Sequence, residues 1–197
     1  MNYTEVSNEE ILKWLEDNLS EERYKHSLAV AQCAKELAME YGEDVEKAYV
    51  AGLLHDCAKC FSNSFLLKIV EDNFDIEDSE KENSKTLHAP VSAYFAQNEF
   101  GVRDEEILSA IRWHTLGKVN MTVFEKIIFL ADKIETCTRE SCYTDPIRKF
   151  LSEDNGLNKA ILQCYKQTIT SLVERDLKIC PLTIEIYNNL QRELSVT

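Results

Sequence analysis

The stretch LLHDCAK, residues 53–59, sets His55 and Asp56 side by side directly after an apolar run. An ionised carboxylate left unpaired in apolar surroundings costs several kcal/mol or gives up its charge, so a compensating partner is expected. The chain has four histidines, His26, His55, His88 and His114, and each falls on or at the start of the apolar stripe of a different helical stretch. His26 shares its face with Val30, Cys33, Ala34 and Leu37, and His114 shares its face with Ile107, Ala110 and Ile111. Asp132 follows KIIFLA one turn after Ile128, on an inward stripe with no basic residue on its own face. A single inward histidine is more often a hydrogen-bonded core residue. Four imidazoles and two carboxylates together are what a site for one or two first-row transition metals requires, because coordination removes the desolvation penalty of both groups.

The elements that must position these residues are helical, since apolar residues recur at helical spacing and no run of alternating β-branched residues stands out. The fold is expected to be all-α, a single domain over residues 1–197. Ser7 with Glu10 forms a capping box ahead of EEILKWLEDNL; Ser20 opens a second helix, which Gly42 closes; a third runs from about Asp44 to Cys60. A short helix near SFLLKIVEDN leads into DIEDSEKENSK, which reads as a solvated, mobile loop. Two helices follow: HAPVSAYFAQNEFG, with Pro90 in its first turn, ends at Gly101, and RDEEILSAIRWHTLG ends at Gly117. Then come TVFEKIIFLADKIETC, an irregular stretch around Pro146, and final helices from about Gly156 to Asp176 and Leu182 to Leu194.

The totals limit the function. A net charge of −13 argues against long nucleic acid or an anionic membrane as partner. A small anionic ligand stays allowed if a metal or a few local cations overcome the surrounding field. The amino-terminal residues are acidic where a signal peptide would be basic and then apolar, so the chain is read as cytoplasmic. Seven cysteines suit free thiols better than a disulfide framework; a zinc site from Cys57, Cys60, Cys137 and Cys142 is disfavoured because the second CxxC is missing. The sequence leaves the oligomeric state open, with a homodimer among the options.

The order His26, His55–Asp56, His88, His114, Asp132 resembles the HD-domain metal-dependent phosphohydrolases. More narrowly, RYKHSLAVA, LLHDCAK, LHAPVSA, IRWHTLG and FEKIIFLADKIE resemble the YqeK-type HD proteins, which hydrolyse diadenosine tetraphosphate symmetrically to ADP. The resemblance spans about Glu22 to Glu135 and implies an HD-type helical bundle around a buried metal centre, with the carboxy-terminal helices packing on it. It makes His26, His55, Asp56 and Asp132 the primary metal ligands. His88 and His114 would complete a second metal or meet the substrate phosphates, with Asp56 bridging two ions. Iron is the metal such sites resemble most, and manganese, cobalt or nickel could substitute. The chain departs from the family pattern ADYIEPxR: Thr136 stands for the proline, and Arg139, the implied phosphate contact, falls one place late. The loop from Thr138 to Pro146 is expected to rearrange around the substrate.

A bound divalent metal lowers the pKa of water until hydroxide is available near neutral pH, and a second ion neutralises phosphoryl charge. No protein nucleophile is then needed, and Asp56, Lys59, His88 and His114 are the catalytic candidates. A nucleoside diphosphate leaving group calls for cations near the centre. Arg23 lies three residues before His26 and Lys59 three after Asp56, so both should face the ligands. Arg112 and Lys118 are weaker candidates, and Lys126 should face solvent. Trp14, Trp113 and the tyrosines are given no role. Three functions remain: a symmetrical dinucleoside tetraphosphatase, another HD phosphohydrolase acting on nucleoside monophosphates or a signalling nucleotide, and a metal-containing sensor. Product identity separates the first two, and binding without turnover marks the third.

Overall fold

The computed structural model describes residues 3–76, 78–81 and 84–195. Among these lie eleven α-helices, one 3₁₀ turn and no strand: α1 (Asn8–Asn18), α2 (Glu21–Tyr41), α3 (Val45–Leu54), the 3₁₀ turn (Cys57–Cys60), α4 (Asn63–Asn73), α5 (Asp78–Lys81), α6 (His88–Asn98), α7 (Glu105–Trp113), α8 (Val123–Ile134), α9 (Ser141–Arg148), α10 (Gly156–Glu174) and α11 (Pro181–Ser195). None of these helices is long and apolar enough to cross a membrane.

Side chains that satisfy orphan backbone groups start and stop the helices. Ser7 and Glu10 close a capping box on α1, and Thr122 and Glu125 do the same on α8. The hydroxyl of Ser20 accepts from the Arg23 amide, and the Asp44 carboxylate accepts from the Lys47 amide. Gly42 ends α2 at φ +75, in the left-handed region that a side chain would disfavour.

Two close pairings organise the core. Helices α2 and α3 meet backbone to backbone: a Cβ added at Gly52 would lie 2.6 Å from Ala31 Cα. Helix α8 is buried along most of its surface, with Phe124, Ile127, Ile128, Leu130, Ala131 and Ile134 fully buried, as befits a helix enclosed by others. It packs on α2, α3, α7 and α10. Residues of α1, α10 and α11, among them Ile11, Leu15, Leu157, Ile161 and Leu190, join the same apolar core. The half-buried Lys47 bonds Asp104 at 2.9 Å and Glu106 at 2.6 Å, pinning the start of α3 to the start of α7. Their far ends then arrive together, with the rings of His55 and His114 4.9 Å apart.

Four stretches differ from expectation. Helix α3 stops at Leu54, with His55 as its C-cap, where one helix to about Cys60 was expected; Asp56 sits at φ −111, ψ 14 before the 3₁₀ turn. Helix α7 likewise stops at Trp113, before Gly117. The stretch around Pro146 is helical, because Arg148 Nε donates to the Ile134 carbonyl at 2.9 Å and binds α9 to the end of α8. The polar run after α4 contains α5, and Glu80 in it is buried by a two-pronged ion pair with Arg112, at 2.8 and 2.9 Å. Residues 77, 82 and 83 of that run lie outside the described residues.

Candidate metal centre

Helix breaks position the adjacent His55 and Asp56. On a continuous helix, neighbouring side chains diverge by about 100° and could not share a target. Here His55 donates its Nδ1 proton to the Gly52 carbonyl at 2.7 Å, α3 ends, and the bridge-region backbone of Asp56 turns its carboxylate back. As a result Asp56 Oδ2 lies 3.7 Å from His55 Nε2. The device recurs at the end of α7, where His114 donates Nδ1–H to the Ile111 carbonyl at 2.7 Å. In both rings the other nitrogen, Nε2, is left with its lone pair toward the interior.

All six expected ligands converge and all are buried. His26 Nε2 is 3.0 Å from Asp132 Oδ1 and 4.0 Å from Asp56 Oδ2; His55 Nε2 is 3.9 Å from Asp132 Oδ1. On the other side of Asp56, its Oδ1 is 3.0 Å from His88 Nε2 and 3.3 Å from His114 Nε2, and the two rings approach to 3.2 Å. Two triads able to hold an ion result, His26–His55–Asp56 and Asp56–His88–His114, with Asp56 common to both.

These residues fit a divalent metal on their own chemistry. His55 Nε2 and Asp56 Oδ1 are buried without a hydrogen bond; close as His88 and His114 are, neither aims a proton at that oxygen. Burial disfavours the charged imidazoles, pushing His55 down to about 3 and His88 to about 4 against the pull of Asp56. Burial would raise the Asp56 carboxyl, but His55, His114 and His88 outweigh it and hold it well below the carboxylate range. Asp132 is held low in the same way, chiefly by Lys133 and then His26. Neutral imidazoles and ionised carboxylates are the forms that bind a metal. No cysteine joins either triad, and all seven are free thiols.

Cations ring the acidic pair. Arg23 Nη1 is 3.3 Å from Asp56 Oδ2, with its side chain 45% exposed. Arg139, despite its shifted place, reaches the cluster: Nη2 lies 2.8 Å from Asp132 Oδ1 and Nε donates to the Asp132 carbonyl. Lys133 Nζ is 2.6 Å from Asp132 Oδ2. Asp132 therefore has two basic partners, neither of them on its own helix face: one is the next residue and the other comes from the turn beyond α8. The half-buried Lys59 side chain makes no hydrogen bond or ion pair among the described residues. Desolvation lowers its ammonium, which feels Asp56 and Asp132 as opposite charges and Arg23 and Lys133 as like ones. Arg112 and Lys118 are instead committed elsewhere, to Glu80 and to Glu125. Lys126 is half-buried along α8 rather than turned to solvent.

Sequence reasoning missed Lys133 and Glu135, although the spacing of ADKIE places Glu135 one helical turn beyond Asp132. Glu135 is the C-cap of α8 and is 1% exposed. Its Oε1 is 3.2 Å from His26 Nδ1, and its carboxylate accepts the amides of Cys137 and Thr138 and the Thr138 hydroxyl. Burial would raise this carboxyl; the Thr138 and Cys137 hydrogen bonds lower it.

A cleft lies apart from these residues. About 810 Å³ in volume, it is lined by Phe74, Ile76, Arg112, Trp113 and Leu182 among others, and by none of the six.

Residues 23–137 match the HD domain family model, a span that takes in every ligand candidate. The chain is 37% identical over 182 residues to "Bis(5'-nucleosyl)-tetraphosphatase, symmetrical" of Halalkalibacterium halodurans, covering 92% of this chain and 96% of the relative. It is 38% identical to the protein of the same name from Bacillus subtilis, covering 93% and 97%. The crystal structure of a "predicted HD superfamily hydrolase involved in NAD metabolism" from Clostridium acetobutylicum superposes with a TM-score of 0.89 at 40% identity, over 95% of this chain and 98% of that one.

Proposed function

Because this chain belongs to the HD domain family, we propose that it is a metal-dependent phosphohydrolase that cleaves diadenosine tetraphosphate symmetrically, consuming one water and releasing two ADP. The observation that carries the proposal is the pair of metal-capable triads sharing Asp56 and ringed by cations. The names of the two curated relatives, each matched over more than nine-tenths of its length, supply the substrate class.

His26, His55, Asp56 and Asp132, with His88 and His114, would hold one or two divalent ions, Asp56 belonging to both triads. Iron suits the mixed imidazole and carboxylate set, with manganese, cobalt or nickel as alternatives. When bound, the metal supplies water activation near neutral pH and neutralises charge on the phosphoryl oxygens. His55 and His114, tied at Nδ1 to backbone carbonyls, keep Nε2 as a lone-pair donor without rearranging. His88 and His114 would complete a second ion site or meet the substrate phosphates. Lys59, half-buried and unpaired, is the cation free to follow charge onto the departing diphosphate. Arg23 and Arg139 orient the outer phosphates, exchanging part of their contact with Asp56 and Asp132 for substrate oxygen.

Four cations around Asp56 and Asp132 make a local field suited to a polyphosphate, although the whole chain carries −13. The seven free cysteines suit a reducing, cytoplasmic compartment.

A substrate panel tests the class. Protein reconstituted with ferrous iron or manganese is offered diadenosine tetraphosphate, nucleoside monophosphates, a signalling nucleotide and NAD. Turnover confined to the tetraphosphate is expected. Preferential turnover of another nucleotide would replace the substrate, and binding without turnover would leave a sensor.

A further inference from the structure

We propose that Glu135 is a positioning residue of the metal centre: its carboxylate accepts the Nδ1 proton of His26 and so fixes the tautomer that offers Nε2 to the ion. The inference rests on the metal-centre reading above. His55 and His114 obtain the same tie from a carbonyl three residues back, which is possible because each sits at the end of its helix. His26 lies inside α2, where the carbonyls serve the helix, so its tie must come from another element. Helix α8 provides it. Its last turn carries Asp132, 3.0 Å from His26 Nε2, and its C-cap carries Glu135, 3.2 Å from His26 Nδ1. One helix end thus grips the imidazole at both nitrogens.

The Glu135 carboxylate is itself immobilised. The turn beyond α8 folds back so that the amides of Cys137 and Thr138 and the Thr138 hydroxyl all donate to it. Thr138 Oγ1 also lies 3.2 Å from His26 Nδ1. A carboxylate behind a ligating imidazole fixes the ring's orientation and raises its basicity, and loss of such a partner typically weakens metal affinity 10–100-fold. Glutamine is a demanding control here. Its carbonyl oxygen can replace only one of the two carboxylate oxygens, so its NH₂ would face either His26 or the amides that now donate to the other oxygen.

The test is metal binding rather than turnover. Cobalt(II) affinity and the ligand-field spectrum are measured for the full chain, for Glu135→Ala and for Glu135→Gln, with thermal unfolding recorded in parallel. Affinity is expected to fall at least tenfold in the alanine variant and by less in the glutamine variant, with an altered spectrum. A merely structural residue would lower Tm and leave the affinity and spectrum of the folded protein as in the parent, which would overturn the proposal. Should the alanine variant not fold, Glu135→Gln decides by the same two readouts. If the parent chain itself binds no cobalt, the metal-centre reading fails; if the parent binds it and both variants match the parent, only the role of Glu135 fails.

Discussion

At the residue scale, function turns on which groups are free of a proton and which are free of a partner. His55 and His88 are pushed down to about 3 and 4, far below the ordinary histidine value near 6.5. Both rings are therefore already neutral at pH 7, and metal binding displaces no proton from them. Protons compete with the metal for these two rings only when the pH nears those values. The part of the metal affinity that rests on His55 and His88 should stay level from pH 7 to about 5 and be lost around pH 4, as read by equilibrium dialysis. Release with a midpoint near 6.5 would show unperturbed imidazoles. Lys59→Ala tests the free cation: metal content should be retained while kcat falls on the order of 100-fold, the scale of losing one preorganised charge-stabilising donor. Equal loss of bound metal would assign Lys59 to the architecture instead. The six clustered residues were legible as ligand candidates because imidazoles and carboxylates on apolar stripes are anomalous. Lys133 and Glu135 carried no such signal, since charged residues at a helix end are ordinary until the tertiary fold closes over them.

At the element scale, the centre depends on where helices stop and how closely they cross. Periodicity located nearly every helix, and Ser7, Ser20 and Gly42 marked ends correctly. It could not foresee that α3 stops at Leu54, because the cause is a side-chain bond from His55 to Gly52 rather than a glycine or proline. Nor could it foresee α9, which Pro146 appeared to forbid and which the Arg148 bond to α8 supports. Gly52 serves twice, as the acceptor for His55 and as the point where α2 and α3 touch. Gly52→Ala sets a methyl against the Ala31 backbone, which cannot step aside as a flexible side chain would. It should cost about 1–3 kcal/mol by overpacking and weaken metal binding as α3 shifts. Calorimetry with a parallel metal assay checks this, and an unchanged Tm would show that the crossing is looser than the geometry implies.

At the scale of the whole molecule, the metal centre lies where α2, α3, α6, α7 and α8 meet, so the ion and the core are one cooperative structure. A ligand that binds only the folded state stabilises by mass action, about 2.7 kcal/mol at a hundredfold excess over Kd. For a chain of this size that raises Tm by roughly 5–10 °C. Chelator-treated protein should therefore melt lower than metal-loaded protein, and restoring manganese should recover the difference. Coincident transitions would instead mean that the ligands do not act together. The −13 charge was legible from composition and turned attention from nucleic acids to a small anion; of the cations around the site, Arg23 and Lys59 were expected from spacing and Arg139 from the resemblance, while Lys133 became visible only in the fold.

The most direct test of the central claim is the product split from diadenosine tetraphosphate. Purified protein reconstituted with ferrous iron or manganese is incubated with the dinucleotide, and the products are resolved by anion exchange beside Asp56→Ala. The account predicts ADP as the sole product, with turnover abolished in the variant because both triads lose their shared carboxylate. AMP with ATP, or ADP formation that survives Asp56→Ala, would contradict it.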